Sequence, residues 1–123
     1  MKKPKAIYVD GGLASYSTFG GPHGNGYAKI NTTTNDRQEL HLPTYESTNN
    51  EAELFAILFG IAECIKTECN LIYGDSEWSV KSVKGLYKTK EPRLKLMVDC
   101  IYSLLQYYKI DIQWIGREKN LAT

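Results

Sequence analysis

Three short stretches each set a carboxylate where a strand ends or a helix begins: Ile7-Tyr8-Val9-Asp10-Gly11-Gly12, Thr48-Asn49-Asn50-Glu51-Ala52-Glu53-Leu54 and Ile72-Tyr73-Gly74-Asp75-Ser76. The segments between them are long enough to bring the chain back to the same edge of a sheet each time. A fold that satisfies all three must gather acids from separate elements at one edge. Acids placed in that way are suited to a divalent metal.

The run Ala6–Asp10 reads as a short buried strand stopping at its acid before Gly11-Gly12. A loop rich in Gly, Ser and Tyr is expected next, then strands over about Gly26–Ile30 and Arg37–Leu42. The turn-forming run Asn31–Asp36 joins those two as a hairpin or meander. From about Asn50 to Thr67 the period becomes helical, with Leu54, Ile57, Leu58, Ile61 and Ile65 on one stripe and Thr48 or Asn49 available as the N-cap. Asn70–Gly74 predicts another buried strand, Ser76 to about Lys84 a short helix, and Leu94 to about Tyr108 a long one with Leu94, Met97, Val98, Ile101, Leu104 and Leu105 inward. Ile110–Ile115 predicts the last strand. The order β-β-β-α-β-α-α-β implies an α/β fold with a mixed sheet flanked by helices. If the strands ending in Asp10 and Asp75 are parallel neighbours, the two carboxylates lie side by side.

At 123 residues the chain holds one sizeable core and has no room for a second, so residues 1–123 are expected to form a single domain. The formal net charge of +1 creates no global field toward nucleic acid or membrane, so a polyanion has to be held by a local patch. Cys64, Cys69 and Cys100 are an odd number without CxxC spacing, which argues against a disulfide framework or a zinc site. The basic start, Lys2, Lys3 and Lys5, is followed by an apolar run too short for a signal peptide, and Leu54–Ala62 falls far short of a membrane span. A cytoplasmic protein with no membrane partner is expected.

Magnesium-dependent phosphoryl transfer is the chemistry that wants converging carboxylates. Mg²⁺ takes hard oxygen ligands at about 2.1 Å and keeps several waters. Two such ions roughly 4 Å apart serve an in-line displacement. Neither His23 nor His41 has a ligand-like partner, and none is needed.

The succession Tyr-Val-Asp-Gly-Gly, Thr-Asn-Asn-Glu-Ala-Glu-Leu, Tyr-Gly-Asp-Ser and a late Trp-Ile-Gly-Arg-Glu-Lys-Asn resembles a type 1 ribonuclease H over nearly the whole chain. That resemblance implies a ribonuclease H-like fold with a mixed five-stranded sheet. It also implies cutting of the RNA strand of an RNA/DNA hybrid by two divalent ions, Mg²⁺ or Mn²⁺, leaving 5′-phosphate and 3′-hydroxyl ends. Asp10 would bridge both ions, with Glu53 and Asp75 as further ligands. Asn49 and Asn50 would touch the hybrid in its minor groove, where 2′-hydroxyls distinguish RNA from DNA, and Thr48 would lie near a phosphate. Gly11, Ser76, Arg117 and Asn120 complete the expected substrate contacts.

Glu53 is chosen over Glu51 by the motif, since helical periodicity does not separate them, and Glu51 stays a second candidate. The family pattern also carries a fourth carboxylate at the start of a closing helix, as Ala-Asp a few residues after the asparagine matching Asn120. Here Asn120-Leu121-Ala122-Thr123 closes the sequence given, so that helix is either missing or lies beyond it. Glu118 is close enough to substitute. Arg117 stands where many members have a mobile histidine, and Lys81, Lys84, Lys88, Lys90, Arg93 and Lys95 offer a modest patch in place of a long basic insertion. The alternatives are a catalytically weak nucleic-acid-binding module of this fold and a DNA-cutting nuclease of the same superfamily.

Overall fold

Strand β1 of the computed structural model runs Ile7–Tyr16, well past the acid at which the sequence predicts its end. Residues 3–16, 23–42 and 47–123 are described. What stops near Asp10 is only the pairing on one side. The parallel register with β5 (Leu71–Gly74) ends at Val9↔Gly74, while the antiparallel register with β2 (His23–Thr32) continues to Tyr16↔Gly24. Gly11 and Gly12 lie in extended backbone and do not turn the chain. The loop expected after them is strand at both ends, and residues 17–22 lie outside the described residues.

The Asn31–Asp36 turn returns the chain into β3 (Gln38–His41), antiparallel to β2, with Asn35 in the left-handed region at φ 62°. A two-residue strand, β4 (Ser47–Thr48), pairs with His23 and Gly24 and has no counterpart in the sequence reading. Strand β6 (Asp111–Trp114) pairs parallel with β5, which gives the order β3-β2-β1-β5-β6 with β4 beside β2. The mixed five-stranded sheet is therefore as expected, with β4 as a small addition.

Helix α1 (Asn49–Thr67) starts at a reciprocal cap. Thr48 accepts from the Glu51 N–H while the Glu51 side chain accepts from the Thr48 N–H. Ser76 caps α2 (Glu77–Val83), and Glu91 caps α3 (Pro92–Tyr108), whose first residue is a proline that needs no N–H partner. A 3₁₀ turn, Arg117–Lys119, follows β6.

The helices cover one face of the sheet. Ile7, Val9, Ala28, Ile30, Ile72 and Ile112 meet Leu54, Ile57 and Ile61 of α1, Val80 and Val83 of α2, and Val98, Ile101 and Leu105 of α3. The expected stripe on α1 is partly wrong: Leu58 and Ile65 are exposed, and the buried row runs instead through Ala52, Ala56, Gly60 and Cys64. Small residues let this helix lie close to the strands, since a Cβ on Gly60 would collide with Val9. Counting only large apolar residues missed that row. On the opposite face Tyr8 and Tyr73 bring their ring centroids to 5.2 Å. The last residues cross this face: Asn31 Nδ2 donates to the Leu121 carbonyl at 3.0 Å and Ala122 is buried.

Candidate active site

The register decides how the two aspartates meet. Val9 and Gly74 are paired parallel neighbours, so Asp10, the next residue of β1, and Asp75, the residue just after β5, leave from the same edge. Glu53 comes from the second turn of α1, and Gly11 determines whether it can arrive. A Cβ at Gly11 would sit 2.7 Å from the Glu53 backbone nitrogen and closer still to the Ala52 carbonyl. Only glycine lets strand and helix touch backbone to backbone. Carboxylate oxygens of Asp10, Glu53 and Asp75 then lie within 4.8 Å of one another.

Three acids so close repel, and the electrostatics show it. Burial, followed by the Asp10 and Asp75 charges, pushes the Glu53 carboxyl up to about 8, against the Gly11 N–H hydrogen bond and the nearby Ser76. Burial and then Asp75 push Asp10 up to about 6, while Arg117, Lys29 and the Gly11 N–H pull it down. Gly11 N donates to Glu53 Oε1 at 3.2 Å. Asp75 Oδ2 is buried and has no hydrogen-bond partner. An orphaned carboxylate oxygen inside an all-oxygen acidic cluster is the donor set a hard divalent cation satisfies, so these residues fit Mg²⁺ or Mn²⁺.

The other sequence candidates divide. Glu51, the competitor of Glu53, is not in the cluster: it closes the α1 cap and accepts from Arg93 Nη2 at 2.6 Å. Thr48, Asn49 and Asn50 line an open depression of about 460 Å³ with Glu91 and Arg93, at the N-termini of two long helices. Ser76 caps α2, donates to Ser79 Oγ at 2.9 Å and lies close enough to Glu53 to favour its charged form slightly. Gly11, expected as a substrate contact, is buried between β1 and α1, with its N–H spent on Glu53.

Asn120 is engaged within the protein. Its Nδ2 donates to the Val9 carbonyl at 2.9 Å, its Oδ1 accepts from the Ala122 N–H at 3.0 Å, and it is 5% exposed, so it ties the tail to β1. Arg117 is exposed and lines a second open depression, of about 690 Å³, with Asp10, Tyr27, Lys29, Glu118 and Thr123. Glu118 folds back over Gly116 and stands outside the acid cluster. Trp78 is partly buried against the core. Of the basic patch, Lys81 pairs with Glu77, Lys95 with Asp99 and Arg93 with Glu51. Tyr27 and Lys29 were not singled out from the sequence, although the period of two along β2 would have set them on one face with Asn31.

Comparison with known proteins bears on the family and the fold. A family model described as reverse transcriptase-like matches residues 38–123. A curated protein named ribonuclease H from Desulforamulus reducens is 28% identical, over 92% of this chain and 76% of the relative. The structure of LC11-RNase H1, isolated from compost by a metagenomic approach, superposes with a TM-score of 0.76 at 26% identity, over 97% of this chain and 89% of that one. A second structure of LC11-RNase H1, in complex with an RNA/DNA hybrid, superposes with a TM-score of 0.72 at 26% identity, over 94% and 88%. The chain therefore belongs to the reverse transcriptase-like family, as a member of ribonuclease H type.

Proposed function

We propose that this chain hydrolyses the RNA strand of RNA/DNA hybrids, adding water across the P–O3′ bond to leave 5′-phosphate and 3′-hydroxyl ends. The observation that carries the reading is the convergence of Asp10, Glu53 and Asp75 within 4.8 Å, with one buried oxygen unpartnered. The relative bound to a hybrid supports the substrate class. In this reading residues 1–123 act as one domain, and the three acids hold two Mg²⁺ or Mn²⁺ ions. Such ions supply charge neutralisation at the phosphate and a more acidic bound water.

The chain's own residues do the remaining work. The Gly11 N–H aims the Glu53 carboxylate, and Ser76 nearby favours its charged form slightly. Asn49 and Asn50, exposed at the start of α1, are placed to read the minor groove, and Thr48 beside them faces a phosphate. Arg117, on the depression that includes Asp10, offers a cation to the strand being cut. Asn120 holds the tail under this wall and makes no substrate contact of its own. Cys64, Cys69 and Cys100 are all free thiols, which suits a reducing compartment such as the cytoplasm.

The test is cleavage of a labelled hybrid beside double-stranded RNA and double-stranded DNA, with Mg²⁺ and with Mn²⁺, for the chain and its Asp10→Asn variant. Cutting confined to the RNA strand of the hybrid, and lost in the variant, is the expected result. An intact hybrid under conditions where a control enzyme cuts it would refute the reading, and retained binding without cutting would make the chain a binding module.

A further inference from the structure

We propose that Lys29 is a phosphate-contacting residue of this site, holding a backbone phosphate of the hybrid in the depression beside Asp10; the inference rests on the hybrid-cutting reading above. Lys29 is the direct cross-strand partner of Asp10 in the β1–β2 register, so the two side chains leave the sheet on the same face. They nevertheless form no ion pair within 4.0 Å, and among the described residues no other carboxylate takes the ammonium either. The ammonium lies instead 4.9 Å from the centroid of the Tyr27 ring, two residues back on the same face. A half-buried lysine held over an aromatic ring, with its charge turned to an open depression, has lost rotamer freedom without gaining a counter-ion.

The charges around the depression point to an anion. Lys29 and Arg117 are its cations, Asp10 lies between them, and Glu118, the other acid of the rim, folds back over Gly116. The Thr123 hydroxyl is already used, donating to the Asn120 carbonyl. While Asp10 is free, Lys29 and Arg117 offset its charge. When Asp10 is engaged by a divalent cation, that offset is no longer needed and two positive side chains face the opening. A phosphate, with oxygens that accept from a point-charge ammonium, is the complementary group. The position next to a metal-holding carboxylate makes it a phosphate of the strand being cut.

The experiment measures hybrid affinity with metal chelated and with Asp10→Asn in every chain, so that cleavage plays no part and no Asp10 charge is left for Lys29 to offset. A fluorescently labelled RNA/DNA hybrid is titrated by anisotropy between 50 and 200 mM salt with this chain and with its Lys29→Met and Lys29→Arg derivatives. Loss of one phosphate contact should weaken Lys29→Met by about tenfold at 50 mM and about threefold at 200 mM, and flatten the log–log salt slope by about 0.9. Lys29→Arg should restore both. In Mg²⁺, with Asp10 intact, the methionine variant should show its defect mainly in KM. If the folded Lys29→Met binds with unchanged affinity and slope while the wild type binds and cuts, the inference fails and the functional reading stands. If both variants weaken equally, the packing on Tyr27 matters and the charge does not, which also overturns it. A wild-type chain that neither binds nor cuts hybrid would remove the functional reading and this inference together.

Discussion

Replacing Glu53 by glutamine should stabilise the metal-free protein, although it removes a residue central to the site. The Glu53 carboxyl is pushed from an ordinary 4.5 up to about 8 by burial and by Asp10 and Asp75. In the unfolded chain it ionises freely. The unfolded state therefore holds fewer protons across the window from about pH 4.5 to 8, and stability falls as pH rises through it. At pH 7 an ideal shift of that size corresponds to about 3 kcal/mol. Glu53 still reaches solvent, so screening reduces the figure to about 1.5 kcal/mol. Glutamine keeps the shape and an oxygen for the Gly11 N–H while having no charge to bury. For a chain of this length the gain is about 6 °C in the thermal midpoint at pH 7, shrinking to nothing near pH 4 where the glutamate is protonated in both states. Thermal unfolding in chelator at pH 4, 5.5, 7 and 8, for wild type and Glu53→Gln, measures it. Saturating Mg²⁺ should raise the wild-type midpoint and move the variant much less. A variant no more stable than wild type at pH 7, with the same difference at pH 4, would show that the acids do not repel one another in a shared site.

Three further outcomes follow from the same geometry. Glu51→Gln should cost about 1 kcal/mol through the weakened α1 cap and Arg93 contact, yet leave the Mg²⁺-dependent rise in thermal midpoint intact, which separates it from Glu53. Gly11→Ala should cost about 1–3 kcal/mol in urea unfolding and abolish that Mg²⁺ response, because the added methyl overlaps the Ala52 carbonyl and drives α1 off the strand. Asn120→Ala should lower stability by about 1–3 kcal/mol, leaving the Val9 carbonyl unpartnered, while KM for hybrid in Mg²⁺ stays put; a rise in KM at unchanged stability would return Asn120 to the substrate contacts.

Much of the molecule was legible because local chemistry decides it. Thr48 and Ser76 announce two helix starts, the Asn31–Asp36 turn announces a hairpin, and alternating apolar runs mark the strands, so element order followed from residues a few positions apart. The Thr-Asn-Asn-Glu-Ala-Glu-Leu stretch pointed to Glu53 by resemblance, and periodicity alone left Glu51 equally placed. What only the tertiary structure decided depends on residues far apart in the chain. The Val9↔Gly74 register sets Asp10 beside Asp75, and the missing side chain of Gly11 admits Glu53 between them. The small row Ala52, Ala56, Gly60 and Cys64 faces the sheet where large residues were expected, because the depth of helix–sheet contact is a property of both surfaces together. Asn120 looked like a substrate contact, and only the fold reveals that its amide is taken up by the Val9 carbonyl and the Ala122 N–H. Lys29 stayed invisible for the same reason: a lysine in a strand has no special spacing, and its meaning comes from the residue across the ladder, which is Asp10.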